Sequence, residues 1–270
     1  MTIKVAFSAG ISTLWLARPG KHNAFDGDML AALEVAIDTI EADPASRILV
    51  LAGEGRSFCA GADLAWMASQ AGDGAAANLA SAERMGAIFH KLSQCRKPTI
   101  ARVHGAAMGG GVGLASACDF VVATDRAFFA LSEVRLGLVP GVISPFVVRR
   151  VGPAKARALF MLGDRVDALQ AEKVGLADTC VPHDEALQAL DAAVAAIASR
   201  LLKGGPEALY ACKQLVDGVQ YRDPGEVLRF TAQAISERRA SAEAREGMTA
   251  FLTKRPAAWI PVNPDDGGAA

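Results

Sequence analysis

An α/β fold is predicted by three features of the sequence. Short apolar runs alternate with helical spacings from the amino terminus to about Val181, the pattern of strands and helices layered against each other. A chain of 270 residues that is 51% hydrophobic and 21% charged can bury one sizeable core. Beyond Gly204-Gly205-Pro206 the spacing is helical only, so the α/β body carries a helical extension too thin for a core of its own.

Taken in order, Ile3–Ser8 and Ile11–Leu16 alternate apolar and polar residues around Ala9-Gly10, which predicts an opening hairpin. Residues 18–24 form a polar connector. Leu30, Leu33, Ile37 and Ile40 recur at helical spacing behind Asp26 or Asp28 as N-cap, and Asp43-Pro44 ends that helix. Residues 48–52 read as a buried strand leading into a glycine-rich loop, 53–64. Residues 70–77 are small and glycine-containing and read as mobile, with a helix from about Asn78 to Gln94. Strands at 99–103 and 120–124 bracket Gly109-Gly110-Gly111 and a short apolar helix ending near Cys118-Asp119, and 128–131 is a further strand. Helices follow at 153–162, 167–174, 184–202, 207–218, 224–239 and 242–254, and residues 263–270 read as a disordered tail.

A net charge of −1 gives no electrostatic case for general nucleic-acid binding. Cys59, Cys95, Cys118, Cys180 and Cys212 are scattered, with no CxxC pair. They read as buried free thiols in a reducing cytosol rather than zinc ligands. Residues 1–5 lack the apolar core of a signal peptide and no apolar run reaches membrane-spanning length, so a cytoplasmic location with no membrane partner is expected. The glycine run matches neither a GxGxxG dinucleotide fingerprint nor a GxxxxGK[ST] phosphate loop.

What three glycines between a strand and a helix do offer is close backbone approach and free N–H groups at a helix N-terminus. Some twenty residues later one carboxylate, Glu133, follows the strand at 128–131. A polarising backbone donor with a lone acid points to proton transfer beside a carbonyl. Other polar residues read more plainly. Asp119 reads as structural, His104 as a packed histidine with acid/base as its rival reading, His22 as part of the polar connector, and His90 and His183 as helix or surface positions. No nucleophile elbow is present.

Three segments, Phe58-Cys59-Ala60-Gly61-Ala62-Asp63-Leu64, His104-Gly105-Ala106-Ala107-Met108-Gly109-Gly110-Gly111 and Ser132-Glu133-Val134-Arg135-Leu136-Gly137-Leu138-Val139-Pro140-Gly141, together resemble the enoyl-CoA hydratase/isomerase (crotonase) superfamily in order and separation. The likeness runs from the opening hairpin to Glu246–Phe251. It implies a crotonase (ClpP-like) spiral of ββα units over residues 1–203 holding a CoA-thioester site. A C-terminal helical oligomerisation region over 204–262 is implied too, in a homotrimer or dimer of trimers. No cofactor is implied, because coenzyme A is part of the substrate.

The resemblance further implies an oxyanion hole made by the amides of Ala62 and Gly110, with Glu133 catalytic. Substrate contacts would come from Lys21, Ala24, Ala60, Asp63, Leu64, Met108, Gly113, Ser132 and Gly141. Phe251 and Lys254 would reach CoA from a neighbouring subunit, their rival reading being an ordinary helix face. Asp63 has a rival reading as a helix N-cap.

One departure from the family pattern is that Gly113 stands where two-glutamate hydratases carry their first acid; on this reading Gly113 leaves room for a branch or a second carboxyl group of the substrate. Another is Val142-Ile143-Ser144-Pro145 after the glutamate segment. Together these look most like the methylglutaconyl-CoA and isohexenylglutaconyl-CoA hydratase branch. The implied reaction is hydration of a 2-enoyl-CoA, with a branched glutaconyl thioester as the expected substrate. The alternatives are a Δ3,Δ2-enoyl-CoA isomerase, which also needs one carboxylate, and a non-catalytic acyl-CoA-binding protein.

Overall fold

The computed structural model describes residues 1–70, 72, 74–220 and 222–261; the tail expected at 263–270 lies outside them. Strands β1 (Ile3–Ser8) and β2 (Ile11–Leu16) pair antiparallel in register Ile3↔Leu16 to Ser8↔Ile11. Both turn residues, Ala9 and Gly10, have positive φ, as the tight turn of a two-residue hairpin requires. Helix α1 (Gly27–Ala42) is capped by Asp26, whose carboxylate accepts the Met29 amide at 3.0 Å. Of the two candidate caps, Asp26 fills the role.

The next three passes of the chain repeat one plan. Strands β3 (Ile48–Gly53) and β4 (Ser57–Cys59) are followed by α2 (Leu64–Gln70) and α3 (Ala75–Gln94). Strands β5 (Thr99–Val103) and β6 (Ala106–Met108) are followed by α4 (Gly110–Ala117). Strands β7 (Phe120–Thr124) and β8 (Phe128–Ala130) are followed by a 3-10 turn, Glu133–Leu136, and by α5 (Ser144–Leu162). In each pass the first strand joins a six-stranded sheet and the second a four-stranded sheet. The remaining elements are β9 (Arg165–Asp167), α6 (Ala168–Val174), β10 (Thr179–Val181), α7 (Gln188–Leu202), α8 (Pro206–Gln220), α9 (Pro224–Ala240) and α10 (Ala242–Leu252). The sheets run β1-β2-β3-β5-β7-β10 and β4-β6-β8-β9. This is the spiral of ββα units.

Every pairing in the large sheet after the hairpin is parallel, and both of its faces are covered. Leu49, Leu51, Ala101, Val103, Val121 and Ala123 face the main core with α1, α3, α4 and α5. The alternate residues Ile48, Val50, Ile100 and Val122 pack on Leu190, Val194 and Ala198 of α7. Double-sided burial is why these strands read as unbroken apolar runs.

Arg102, on the α7 side, has a side chain only 7% exposed and pairs with Asp191 of α7 at 2.5 Å. Asp191→Ala would leave that guanidinium buried without its partner. A loss of about 1–3 kcal/mol in urea denaturation is expected, with a smaller loss for Asp191→Asn, which retains an acceptor.

Four helices depart from the sequence expectations. Helix α2 occupies Leu64–Gln70, hidden because seven residues are too few to establish a period. Helix α3 already begins at Ala75 rather than Asn78, and Ala71 and Asp73 lie outside the described residues. Helix α5 begins at Ser144, nine residues before the expected Pro153, and bends at Gly152, where φ is 76°. Conversely, α7 starts at Gln188, not Asp184, whose carboxylate instead accepts the Gln188 and Ala189 amides.

The helices after Gly204 are tied to the body through polar contacts. Lys213 Nζ donates to the Cys95 carbonyl (2.7 Å) and pairs with Asp119 (2.9 Å), while Arg96 pairs with Glu207. No helix among the described residues is long and apolar enough to cross a membrane.

Candidate active site

Strands β4, β6 and β8 are parallel neighbours in the small sheet, and each ends in one part of the site. The segment after β4 is 60–63, that after β6 is the glycine run, and that after β8 is Ser132-Glu133. Neighbouring strands lie about 4.8 Å apart, so three strand ends span about 10 Å, the scale of a small acyl group.

The loop after β4 is held from two sides. Asn23, in a left-handed conformation that asparagine tolerates, donates to the Glu54, Ser57 and Phe58 carbonyls. The Ala60 amide donates to the His22 carbonyl. Phe25 then forms a parallel bridge with Ala62, its amide donating to Gly61 O (2.9 Å) and its carbonyl accepting from Asp63 N (2.8 Å). Such a bridge engages the residues flanking Ala62 and turns the Ala62 amide away from Phe25.

After β6, Gly109 takes φ 48°, ψ −116°, donates to the Ala130 carbonyl at 2.8 Å and releases the chain into α4. Gly110 is the first helical residue, so its amide has no intrahelical acceptor. A Cβ on Gly110 would lie 2.3 Å from Phe25 Cζ and 3.6 Å from Gly61 Cα. Only glycine lets the two loops meet there. Among the described residues, neither the Ala62 nor the Gly110 amide donates to a protein acceptor.

Glu133 opens the 3-10 turn. Its Oε2 is buried with no hydrogen-bond partner, and its Oε1 lies 3.1 Å from where a Cβ on Gly109 would stand. The cations that could have neutralised it are engaged elsewhere: Arg135 with Asp164, Arg149 with Asp217 and Arg150 with Asp178. Burial therefore pushes the Glu133 carboxyl above its ordinary range. Ala62, Gly110 and Glu133 line one cavity of about 200 Å³. Two residues with acceptor-free amides thus line one pocket with a half-buried carboxylate.

Residues 6–261 match the model of the family described as enoyl-CoA hydratase/isomerase. The chain belongs to that family. It is 34% identical over 256 residues to crotonyl-CoA hydratase of Syntrophomonas wolfei, covering 93% of this chain and 94% of the relative. An enoyl-CoA hydratase structure from Shewanella pealeana superposes with a TM-score of 0.91 at 34% identity, covering 96% of each chain. Pseudomonas aeruginosa AtuE gives 0.90 at 32% identity, covering 97% of this chain and 100% of its own.

Within this hydratase/isomerase chain, Ala60, Leu64, Met108, Ser132 and Gly141 also line the cavity. Lys21 and Ala24 do not. Lys21 is exposed on the turn Pro19–Lys21, and Ala24 is buried with its carbonyl held by Arg18. Asp63 is outside the lining as well. Its carboxylate accepts the Ala65 and Trp66 amides at the start of α2 and lies 3.5 Å from Arg18. The Trp66 amide first, then the Ala65 amide and the nearby cations Lys21 and Arg18, hold it below its ordinary range against a smaller opposing effect of burial. Its position is that of the N-cap. Phe251 is 83% exposed near the end of α10, and Lys254, at φ 54°, follows that helix; neither lines the cavity.

Gly113 requires a correction. It makes no room for substrate, because a Cβ there would lie 2.2 Å from Ile143 Cγ2 and 3.1 Å from Phe89 Cε1. The volume is filled by Ile143, which itself lines the cavity. Sequence reasoning missed Ile143, Phe25, Met67 and Met85; apolar side chains at ordinary helical or loop positions carry no local mark of a site.

The thiols also need adjusting. Cys59, Cys95 and Cys118 are buried, and burial pushes Cys59 and Cys118 up to about 12, but Cys180 is half-buried and Cys212 exposed. His104 is packed, its Nε2 against the Gly55 carbonyl at 2.8 Å, while His22 Nδ1 meets Ser57 Oγ at 3.0 Å.

Proposed function

We propose that this enzyme hydrates 2-enoyl thioesters of coenzyme A, with Glu133 as the single acid/base and the Ala62 and Gly110 amides as the oxyanion hole. The observation that carries the reading is a half-buried Glu133, one carboxylate oxygen of which is buried without a hydrogen-bond partner, lining one cavity with two residues whose amides have no protein acceptor. Glu133 takes a proton from water as its oxygen bonds to Cβ. The pair of the Cα–Cβ double bond shifts to join Cα and the carbonyl carbon, and the carbonyl pair moves onto the oxygen, where the amides hold it. As that enolate collapses, Cα takes the proton back from the protonated carboxyl. The thioester itself supplies the activation, so no resident cofactor is invoked.

The lining also bears on the acyl group. Apart from Glu133 and Ser132 it consists of apolar side chains and glycines, and no cation faces the cavity among the described residues. A glutaconyl carboxylate would sit there unpaired beside Glu133, an unfavourable burial of like charges. The reading we favour is therefore an uncharged acyl group, in place of the glutaconyl thioester that the resemblance implies. Loss of the conjugated-thioester absorbance, with a product heavier by one water, is expected on crotonyl-CoA. A faster rate on 3-methylglutaconyl-CoA would reverse the preference.

Isomerisation is the second reading, favoured by the absence of a second carboxylate at Gly113. A 3-enoyl-CoA gaining the conjugated band without gaining mass would support it. Binding of CoA thioesters with no conversion across both tests would leave a binding protein.

The homotrimer, or dimer of trimers, stays part of this proposal. Exposed Leu228, Ile235, Met248, Phe251 and Leu252 on α9 and α10 give the extension an apolar surface suited to a neighbouring subunit. If Phe251 and Lys254 reach CoA across that contact, Phe251→Ala with Lys254→Ala should raise KM about tenfold and leave kcat near its starting value. An unchanged KM would remove them from the CoA site.

A further inference from the structure

Ile143 stands where the cavity ends and the core begins. It is 3% exposed, belongs to the main hydrophobic cluster and also lines the cavity. The point a Gly113 Cβ would occupy lies 2.2 Å from its Cγ2 and 2.8 Å from its Cβ. The isoleucine therefore occupies the space of two side chains. Its backbone is fixed as the residue preceding α5, its carbonyl accepting the Phe146 and Val147 amides, each at 3.2 Å.

Among the β-branched residues lining the cavity, Ile143 is buried, whereas Val139 is exposed and Val142 half-buried. Met67, Met85 and Met108 are unbranched thioethers, which change rotamer readily to fit what they meet. A β-branched side chain is stiff about χ1, and that of Ile143 is packed against the Gly113 backbone within the buried cluster that also holds Phe89. We propose that Ile143 sets the size of the acyl group this site accepts, by holding closed the volume beside Gly113. The assignment rests on the reading of the cavity as an acyl-thioester site.

The test compares kcat/KM on crotonyl-CoA, 2-hexenoyl-CoA and 2-octenoyl-CoA for the wild type, Ile143→Val, Ile143→Ala and the double variant Ile143→Ala with Gly113→Ala. The quantity read is the ratio between substrates within one variant, which a loss of folded protein leaves unmoved. Ile143→Ala should shift the hexenoyl-to-crotonyl ratio toward the longer chain by about tenfold or more, the scale on which methylene-sized fits discriminate. Ile143→Val should fall between. Adding Gly113→Ala should refill the space and return the ratio toward the wild type. Ratios unchanged in both single variants, with crotonyl-CoA still turned over, would overturn the role of Ile143 alone. A wild type that converts none of the three would overturn the thioester reading and this assignment together.

Discussion

Glu133→Gln is expected to lower kcat on a 2-enoyl-CoA by about 10²–10⁴-fold, the usual contribution of one positioned acid/base, while binding of CoA thioesters persists. The same change should make the protein more stable. Burial raises the Glu133 carboxyl above its ordinary value, so the native state takes up its proton at higher pH than the unfolded chain does. Between those two values stability rises as pH falls; above the upper one the buried charge opposes folding in full. Replacing it with a neutral amide should therefore raise Tm at pH 8. The gain should vanish by about pH 4, below the ordinary glutamate value. Activity carries the same signature, because the acid limb of kcat/KM reports the free carboxyl and should lie above that ordinary value. An inactive variant whose Tm falls at pH 8 would mean that Glu133 is structural.

Gly110→Ala should be nearly as damaging, for a steric reason. Its Cβ would meet Phe25 Cζ at 2.3 Å and Cε1 at 2.7 Å. Phe25 cannot step aside, being fully buried and set edge-on to Phe89 at 6.2 Å. The first turn of α4 must move instead, carrying the Gly110 amide with it. Displacing one oxyanion donor costs about 10²–10³-fold in kcat. That loss should exceed any rise in KM, because the amide is used most fully when the oxygen carries charge. Gly225→Ala, with no atom within 4 Å of the new methyl, serves as the neutral control. Full activity of Gly110→Ala would take the amide out of the mechanism.

Much of this molecule was legible in the residue order. Strands buried on both faces, such as Ile48–Gly53 and Phe120–Thr124, announce themselves as continuous apolar runs. The glycines at 109 and 110 mark a close approach because no other residue tolerates it. Glu133 is conspicuous as a carboxylate at the end of an apolar strand. Three-residue strands such as Ser57–Cys59 and Ala106–Met108 are too short to show alternation, so these two strands of the small sheet were hidden inside apparent loops. Gly113 misled for a different reason. A missing side chain looks like space in a sequence, but whether it is space depends on a neighbour thirty positions away, and Ile143 fills it. Asp63 shows the reverse case, since one residue type serves equally as ligand contact or helix cap until its amide partners are known.

The delivery of each part of the site from a separate strand of the small sheet has an evolutionary consequence. On the mechanism we propose, each winding of the chain contributes one part: an amide donor, then a second donor, then the acid. A sequence change confined to one strand end can redirect the chemistry without disturbing what the other two supply. If that mechanism holds, such a scaffold can diversify stepwise, one loop at a time, and still keep an enolate stabilised while the fate of the proton changes.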